Sequence, residues 1–334
     1  MIWSKKTQPD VIAEIVRFYE GKSVLVTGGA GAIGSNLVRA LVDAGAAHIY
    51  VIDDLSSGSE ANLQSVPRTT FIKGDIVDTN VLAQVFGRKI DIVVHLAAFF
   101  ANQNSVEFPR IDAYSNIIGT IELLEASKRH GSPLFLYANT SCMYSHSGHD
   151  WTERSKDFFY DTPYSISKHT GEQYTKFFYK YHKLPAVSVR IFNSYGPYEH
   201  PGKYRNVIPN FLQAAMNGES LVITGTGQET RSFTYVDDTV RGLLLSLARY
   251  DGSWQIYNIG STTETRIIDL AEKINQLTGN QAPITFAPRR DWDKSVRRRP
   301  NINRARKRLD FRPTIGLDEG LIRTFRWLQN RSSI

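Results

Sequence analysis

Thr27-Gly28-Gly29-Ala30-Gly31-Ala32-Ile33-Gly34 lies between a short apolar run, Ser23 to Thr27, and a stretch of helical periodicity, Ile33 to Leu41, that stops at Gly45. A glycine-rich turn that leaves a strand and opens a helix is the context a dinucleotide-binding loop requires. Gly28 permits the tight turn, Gly31 lets the backbone approach a pyrophosphate, and Gly34 allows close helix–sheet packing. The helix start at Ala32 and Ile33 offers unpaired N–H groups and a partial positive charge to phosphates. Alone, such a loop is a weak signal, because turns of this composition are common. The next strand, His48 to Ile52, strengthens it by ending on Asp53. A carboxylate at that point takes both ribose hydroxyls and repels a 2′-phosphate, so the pattern predicts NAD over NADP. A helix cap or turn residue would fit the position of Asp53 less well.

From this loop outward, short apolar strands alternate with helical stretches, the pattern of a parallel α/β sheet. Ile90 to Leu96 is nearly all apolar, as a central strand covered on both faces should be. Leu134 to Ala138 and Ala186 to Ile191 are two more candidate strands. Asp75-Ile76 follows another strand and is placed to meet an adenine, while Leu96-Ala97-Ala98 forms a small-residue floor beneath the cofactor. The expected fold is a Rossmann-type doubly wound parallel sheet over 21–193 plus 234–261. A smaller C-terminal α/β substrate domain is expected from 194–233 plus 262–330. Residues 1–20 form an N-terminal extension with Val11, Ile12, Ile15, Val16 and Phe18 at helical spacing.

The chain has 334 residues, enough for one large domain or two closely packed ones. Hydrophobic residues make up 41% and charged residues 22%, as in soluble globular proteins. No apolar run approaches the ~20 residues that span a bilayer, and the start of the chain lacks a secretory apolar region. Cys142 is the single cysteine, which excludes an intrachain disulfide; a reducing cytoplasm is the expected setting. The net charge of +7 is concentrated in the last fifty residues, among them Arg289, Arg290, Arg297 to Arg299, Arg304, Arg306, Lys307 and Arg308. Basic clusters mark nucleic-acid binding, but they also receive small anions such as a diphosphate. For 304–308 a solvated helix face is the plainer account, and neither a nucleic-acid partner nor a metal is expected.

Tyr164-Ser165-Ile166-Ser167-Lys168 places a phenol and an ammonium on one face of a helix, with Pro163 suited to its first turn. Free tyrosine, with a pKa near ~10, is a poor base at neutral pH. A neighbouring lysine and a positive nicotinamide both favour the phenolate, and Lys168 can also hold the nicotinamide ribose. In isolation this spacing would mean only an ordinary helix face. It gains weight from the dinucleotide loop upstream and from a hydroxyl-rich strand end between them, Asn139-Thr140-Ser141.

With these motifs in order, the chain resembles the extended short-chain dehydrogenase/reductase family, in its nucleotide-sugar epimerase/dehydratase branch. The elements carrying the resemblance include TGGAGAIG, Asp53, GDI at 74–76, HLAA at 95–98, Thr140 to Tyr144 and YSISK. RIFNSYGP at 190–197, RSFTYVDD at 231–238, NIG at 258–260 and RRP at 298–300 continue it. The resemblance covers about residues 21 to 328 and implies hydride transfer between a sugar carbon and tightly held NAD. Tyr164 would deprotonate a sugar hydroxyl, usually at C4, which Thr140 would also hydrogen-bond. The resemblance further implies cofactor contacts at Asn116 and Phe192. It implies nucleotide-sugar contacts at Asn193, Asn206, Val207, Arg231 and Arg298; guanidinium geometry independently favours anion binding by the two arginines.

Family 4,6-dehydratases carry Asp-Glu directly after the Thr, and glucuronate decarboxylases keep a Glu two residues after it. Here those positions are Ser141 and Cys142, which favours 4-epimerisation of a nucleotide sugar, expected to be a UDP-sugar. Cys142 reads most simply as a small buried thiol. Ala32 stands where the family usually has Phe, and Ser145 where it has Gly. Asn102, Gln103, Asn104, Tyr204 and Arg205 lie where loops approach the sugar, with solvated loops the plainer expectation. Relatives of this kind pair through two helices, here expected near 105–130 and 163–182, so a homodimer is anticipated. The second helix carries Tyr174, Phe177, Phe178 and Tyr181, which would otherwise pack inside the monomer.

Overall fold

The computed structural model describes residues 8–144 and 150–332; Ser145 lies outside them. The first part of the chain runs α1 (Pro9–Tyr19), β1 (Ser23–Thr27), α2 (Ala32–Asp43), β2 (His48–Asp53), β3 (Thr69–Lys73), α3 (Thr79–Phe86) and β4 (Ile92–His95). Then come α4 (Asn102–Glu107), α5 (Pro109–Ala113), α6 (Gly119–Arg129), β5 (Leu134–Thr140), α7 (Pro163–His182) and β6 (Ala186–Ile191). A π-helical turn, Tyr114–Ile118, joins α5 to α6. The remainder is β7 (Ser194–Tyr195), α8 (Val207–Met216), β8 (Leu221–Thr224), β9 (Thr230–Arg231), β10 (Thr234–Tyr235), α9 (Val236–Ala248) and β11 (Gln255–Ile259). β12 (Thr265–Arg266), α10 (Ile267–Thr278), β13 (Ile284–Ala287), β14 (Arg297–Arg298), α11 (Asn303–Leu309) and α12 (Leu317–Ser332) complete it.

Seven strands pair in the order β11-β6-β5-β4-β1-β2-β3, all parallel, giving the Rossmann-type sheet the sequence predicts. Every residue of β4 is buried, because helices cover both faces. The chain order reverses between β1 and β4, where Thr27 pairs with His95, and a crevice opens beyond the carboxyl ends of strands at such a point. Thr27 Oγ1 meets His95 Nδ1 at 2.8 Å and His95 Nε2 meets Thr120 Oγ1 at 3.0 Å, which pins these strand ends to α6. Burial holds the His95 imidazole neutral by lowering its pKa, with Lys168 adding to the effect.

The later strands are short and form separate sheets: β10 with β7, β12-β9-β14, and β13 with β8. β11 is the exception, returning to the edge of the large sheet beside β6, while α9 packs against α2. The N-terminal extension is the amphipathic helix α1, with Val11, Ile15 and Tyr19 buried. Tyr19 donates to the Leu244 carbonyl, and Glu14 takes a two-pronged ion pair from Arg249 at 2.8 and 2.6 Å. The basic residues of α11 divide: Arg304 reaches the Ile256 carbonyl and Arg308 pairs with Asp251, while Arg306 and Lys307 face solvent. Among the described residues no helix is long and apolar enough to cross a membrane.

Beneath the carboxyl ends of β5 and β6 lies a polar network that fastens both strands to α7. The Glu172 carboxylate receives Arg190 through two nitrogens, at 3.1 and 2.6 Å, together with Asn139 Nδ2 and Ser188 Oγ. Arg190 also donates to Tyr144, whose hydroxyl donates to Asn258 Oδ1. Burial alone would raise the Glu172 pKa, but Arg190 and these donors hold it below the usual carboxylate value. A buried carboxylate satisfied this fully makes a rigid floor.

Candidate active site

A cavity of about 540 Å³ opens along the carboxyl ends of the large sheet and under the later loops. Its cofactor-facing wall begins at the glycine loop. Gly28 has φ +72°, and a Cβ there would come within 2.7 Å of the Ala97 backbone nitrogen. A Cβ on Gly34 would collide with the Gly28 carbonyl oxygen. Gly31 lines the cavity and caps α2 without a side-chain hydrogen bond, so the first N–H groups of that helix, at Ala32, Ile33 and Gly34, remain available to an anion. Asp53 lines the same wall, one carboxylate oxygen accepting from Ala30 N and the other from Leu55 N, both at 2.9 Å. Burial raises its pKa while these two amides pull it back. Asp75, Ile76, Leu96, Ala97 and Ala98 complete this side. Bare amides, a held carboxylate and an apolar floor together fit a dinucleotide.

Thr140, Tyr164 and Lys168 converge at the middle of the cavity. The structure forms the expected helix at Pro163, which occupies its first turn after the N-cap Thr162, whose hydroxyl accepts from Ser165 N. Tyr164 is further fixed by its backbone N–H, which donates to Ser105 Oγ at 3.1 Å, and by the edge of the Phe100 ring. Burial pushes the phenol pKa up; the neighbouring Cys142 and Asp112 add to that, and a hydrogen bond with Thr140 opposes it. Lys168 Nζ lies over the Tyr137 ring, 4.5 Å from its centre. Burial brings its pKa down to about 7, with Asp112 acting in the opposite direction. Asn139 Oδ1 accepts from the Thr140 N–H at 2.7 Å while Asn139 Nδ2 holds Glu172, so the Glu172 network positions Thr140.

The far wall is built from side chains. Strand register sets Arg298 beside Arg231, and both line the cavity with Asn193, Asn206 and Val207. Burial, and then the neighbouring Arg298, lower the Arg231 pKa to about 10. Two guanidiniums this close gain from an anion between them. Asn206 caps α8 without a side-chain bond to that helix; its Nδ2 donates instead to Glu199 Oε1 at 2.6 Å. Arg298 Nη1 and Asn102 Nδ2 each lie 3.5 Å from Cys142 Sγ, and Asn102 Oδ1 accepts from Thr162 Oγ1.

A family model described as the NAD-dependent epimerase/dehydratase family matches residues 24–260. The chain belongs to this family. Among solved structures it is similar to an epimerase from the methanogen Methanothermobacter thermautotrophicus, with 43% identity, TM-score 0.92 and 97% of each chain covered. It is also similar to the UDP-glucose 4-epimerase of Thermotoga maritima solved with UDP-glucose, with 31% identity, TM-score 0.87, and 93% of this chain and 99% of that one covered. A UDP-N-acetyl-alpha-D-glucosaminuronate decarboxylase of Bacillus cytotoxicus is 31% identical over 92% of this chain and 98% of its own length. A UDP-glucose 4-epimerase and a decarboxylase are each 31% identical to this chain, so the reaction of this family member must be argued from its site.

Two residues expected at the cofactor are not on the cavity wall. Phe192 is fully buried in an aromatic cluster, stacked on Tyr144, and its backbone is engaged by Ile259 and Thr234. Asn116 is buried behind the wall, where its carbonyl oxygen accepts from Phe99 N and its amide donates to Asp112 and Ser167. Both expectations come from motif position, and the contacts each residue makes here are with protein groups. Conversely, Asn102 and Arg205 line the cavity instead of a solvated loop, whereas Tyr204 and Gln103 face outward and bond to Glu107. Glu199 was missed altogether; it lines the cavity with one carboxylate oxygen unpartnered, and burial raises its pKa to about 7.

Proposed function

We propose that the protein is a nucleotide-sugar 4-epimerase, acting on a UDP-sugar through a transient 4-keto sugar. The observation that carries this reading is the pair of residues after Thr140. Elimination or decarboxylation in this family uses acids there, whereas Ser141 and Cys142 line this cavity and the thiol faces Asn102 and Arg298. Thr140 and Tyr164 bind the C4 hydroxyl, and Tyr164 takes its proton and later returns it to the same oxygen. Lys168 supplies a positive charge that opposes the effect of burial on the phenol. A bound NAD would supply the hydride acceptor and donor for C4 and a positive ring beside the phenol. The helix start at Ala32 to Gly34 and Asp53 hold it in place. Asn193, Asn206, Val207, Arg231 and Arg298, from the segments 194–233 and 262–330, hold the sugar and diphosphate.

The same reading includes a dimer built on α7 and the segment around α5. Tyr174, Phe177 and Tyr181 are exposed on α7, and Ile111, Tyr114 and Ile118 are exposed on the facing element, whereas Phe178 packs inside. The deciding experiment incubates the purified protein with a panel of UDP- and dTDP-sugars and resolves the products by NMR. Two C4 epimers should equilibrate with no net NADH. A stable keto sugar, released carbon dioxide, or stoichiometric NADH would each overturn the proposal.

A further inference from the structure

Lys168 is a buried amine whose pKa burial brings down to about 7, and the carboxylate that opposes this shift, Asp112, does not line the cavity. The titratable groups around it are Tyr164, four residues earlier on the same helix face, His95 from β4, Tyr137 from β5 and Asp112 from α5. His95 is held neutral, and burial raises the pKa of both phenols. Asp112 is the remaining member; it takes no part in the proton transfer at Tyr164, although its charge also raises the phenol pKa.

Asp112 is 1% exposed and lies outside the cavity wall. Its Oδ1 accepts from Asn116 Nδ2 at 2.8 Å, and the same amide reaches Ser167 Oγ, next in sequence to Lys168, at 3.1 Å. Its Oδ2 is buried with no hydrogen-bond partner. Leaving a carboxylate oxygen so placed is costly, and anchoring α5 to α7 would need only a neutral amide or hydroxyl. The influence of the Asp112 charge is mutual with Lys168: the carboxylate raises the lysine pKa. Burial raises the Asp112 pKa to about 6, and the Ser167 hydroxyl, the ammonium and Asn116 restrain it.

We propose that Asp112 is a positioning residue for Lys168, acting as its fixed counter-charge from behind the cavity and tethered to the lysine's helix through Asn116 and Ser167. The proposal rests on the reading of Tyr164 and Lys168 as base and activator. With Asp112 ionised, the ammonium survives to higher pH, so the phenolate keeps its cation over a wider range. Removing the charge while keeping the shape narrows that range from the alkaline side.

The test compares the parent protein with Asp112→Asn, following the Lys168 side chain by NMR of labelled lysine, with Lys168→Met as the assignment control. The Lys168 titration midpoint should fall by about one pH unit. The alkaline limb of kcat should move down with it, activity should recover at lower pH, and Asp112→Glu should restore most of the shift. An unmoved midpoint, or a kcat loss equal at every pH, overturns the proposal. Should Asp112→Asn not fold, reciprocity supplies the second measurement: in Lys168→Met the Asp112 carboxyl midpoint must rise, and an unchanged midpoint overturns the pairing. A midpoint that moves without the kcat profile leaves the pairing standing and overturns Lys168 as the activator of Tyr164.

Discussion

The two walls of the cavity are made of different material. Toward the cofactor the surface is mostly backbone: strand ends in register, glycines that admit no Cβ, and the bare start of α2. On the far side it is mostly long side chains carried on two-residue strands and loops, with Arg231 and Arg298 brought together by the β9–β14 pairing. Backbone amides are fixed by the fold and suit a ligand that never changes. Side chains on short strands can be exchanged singly, which suits a wall whose ligand differs between relatives.

The largest blow to the first wall is Gly34→Val, because the added Cβ meets the Gly28 carbonyl. The purified variant should carry no NAD and show no turnover; a full complement of NAD, measured on the released cofactor, would break the distinction. Tyr164→Phe strikes where the walls meet. It should lower kcat by about 10³-fold, within the usual range for a lost acid–base group, while NAD content stays at the parent level. Arg231→Ala tests the second wall alone. A charged hydrogen-bond donor is worth about 1.5–3 kcal/mol, so KM for the nucleotide sugar should rise roughly 10- to 100-fold. Loss of NAD in that variant would mean the walls are not separable. Asp53→Asn is the mildest change, since the amide oxygen can still accept one backbone N–H. It should cost about tenfold in the preference for NAD over NADP, on the order of one charge contact, read by competitive binding.

The same contrast explains what could be read in advance. The cofactor wall is local in sequence: a strand, a glycine turn, a helix and the end of the next strand occupy residues 23–53, so spacing alone locates them. Tyr164 and Lys168 share one helix and were legible for the same reason. Arg205 reaches the cavity from a loop and Asn102 from the first turn of α4, and local pattern alone does not separate either from a solvated position. Asp112 was invisible for a related reason, because its partners Ser167 and Lys168 lie on another helix. Asn116 and Phe192 show the reverse case, behind the wall rather than on it. Their positions match a motif, yet the amide is consumed by Asp112, Ser167 and Phe99, and the ring by Tyr144.

The return of β11 to the large sheet bears on how the protein is made. A ribosome delivers the chain N-terminus first, so β6 emerges and waits while residues 194–233, which belong elsewhere, are synthesised. Only when Gln255–Ile259 appear does β6 gain its outer neighbour. Until then its edge is an open row of donors and acceptors, the kind of template that recruits foreign strands. No contiguous piece of the gene encodes the completed sheet without also encoding part of the cavity's far wall.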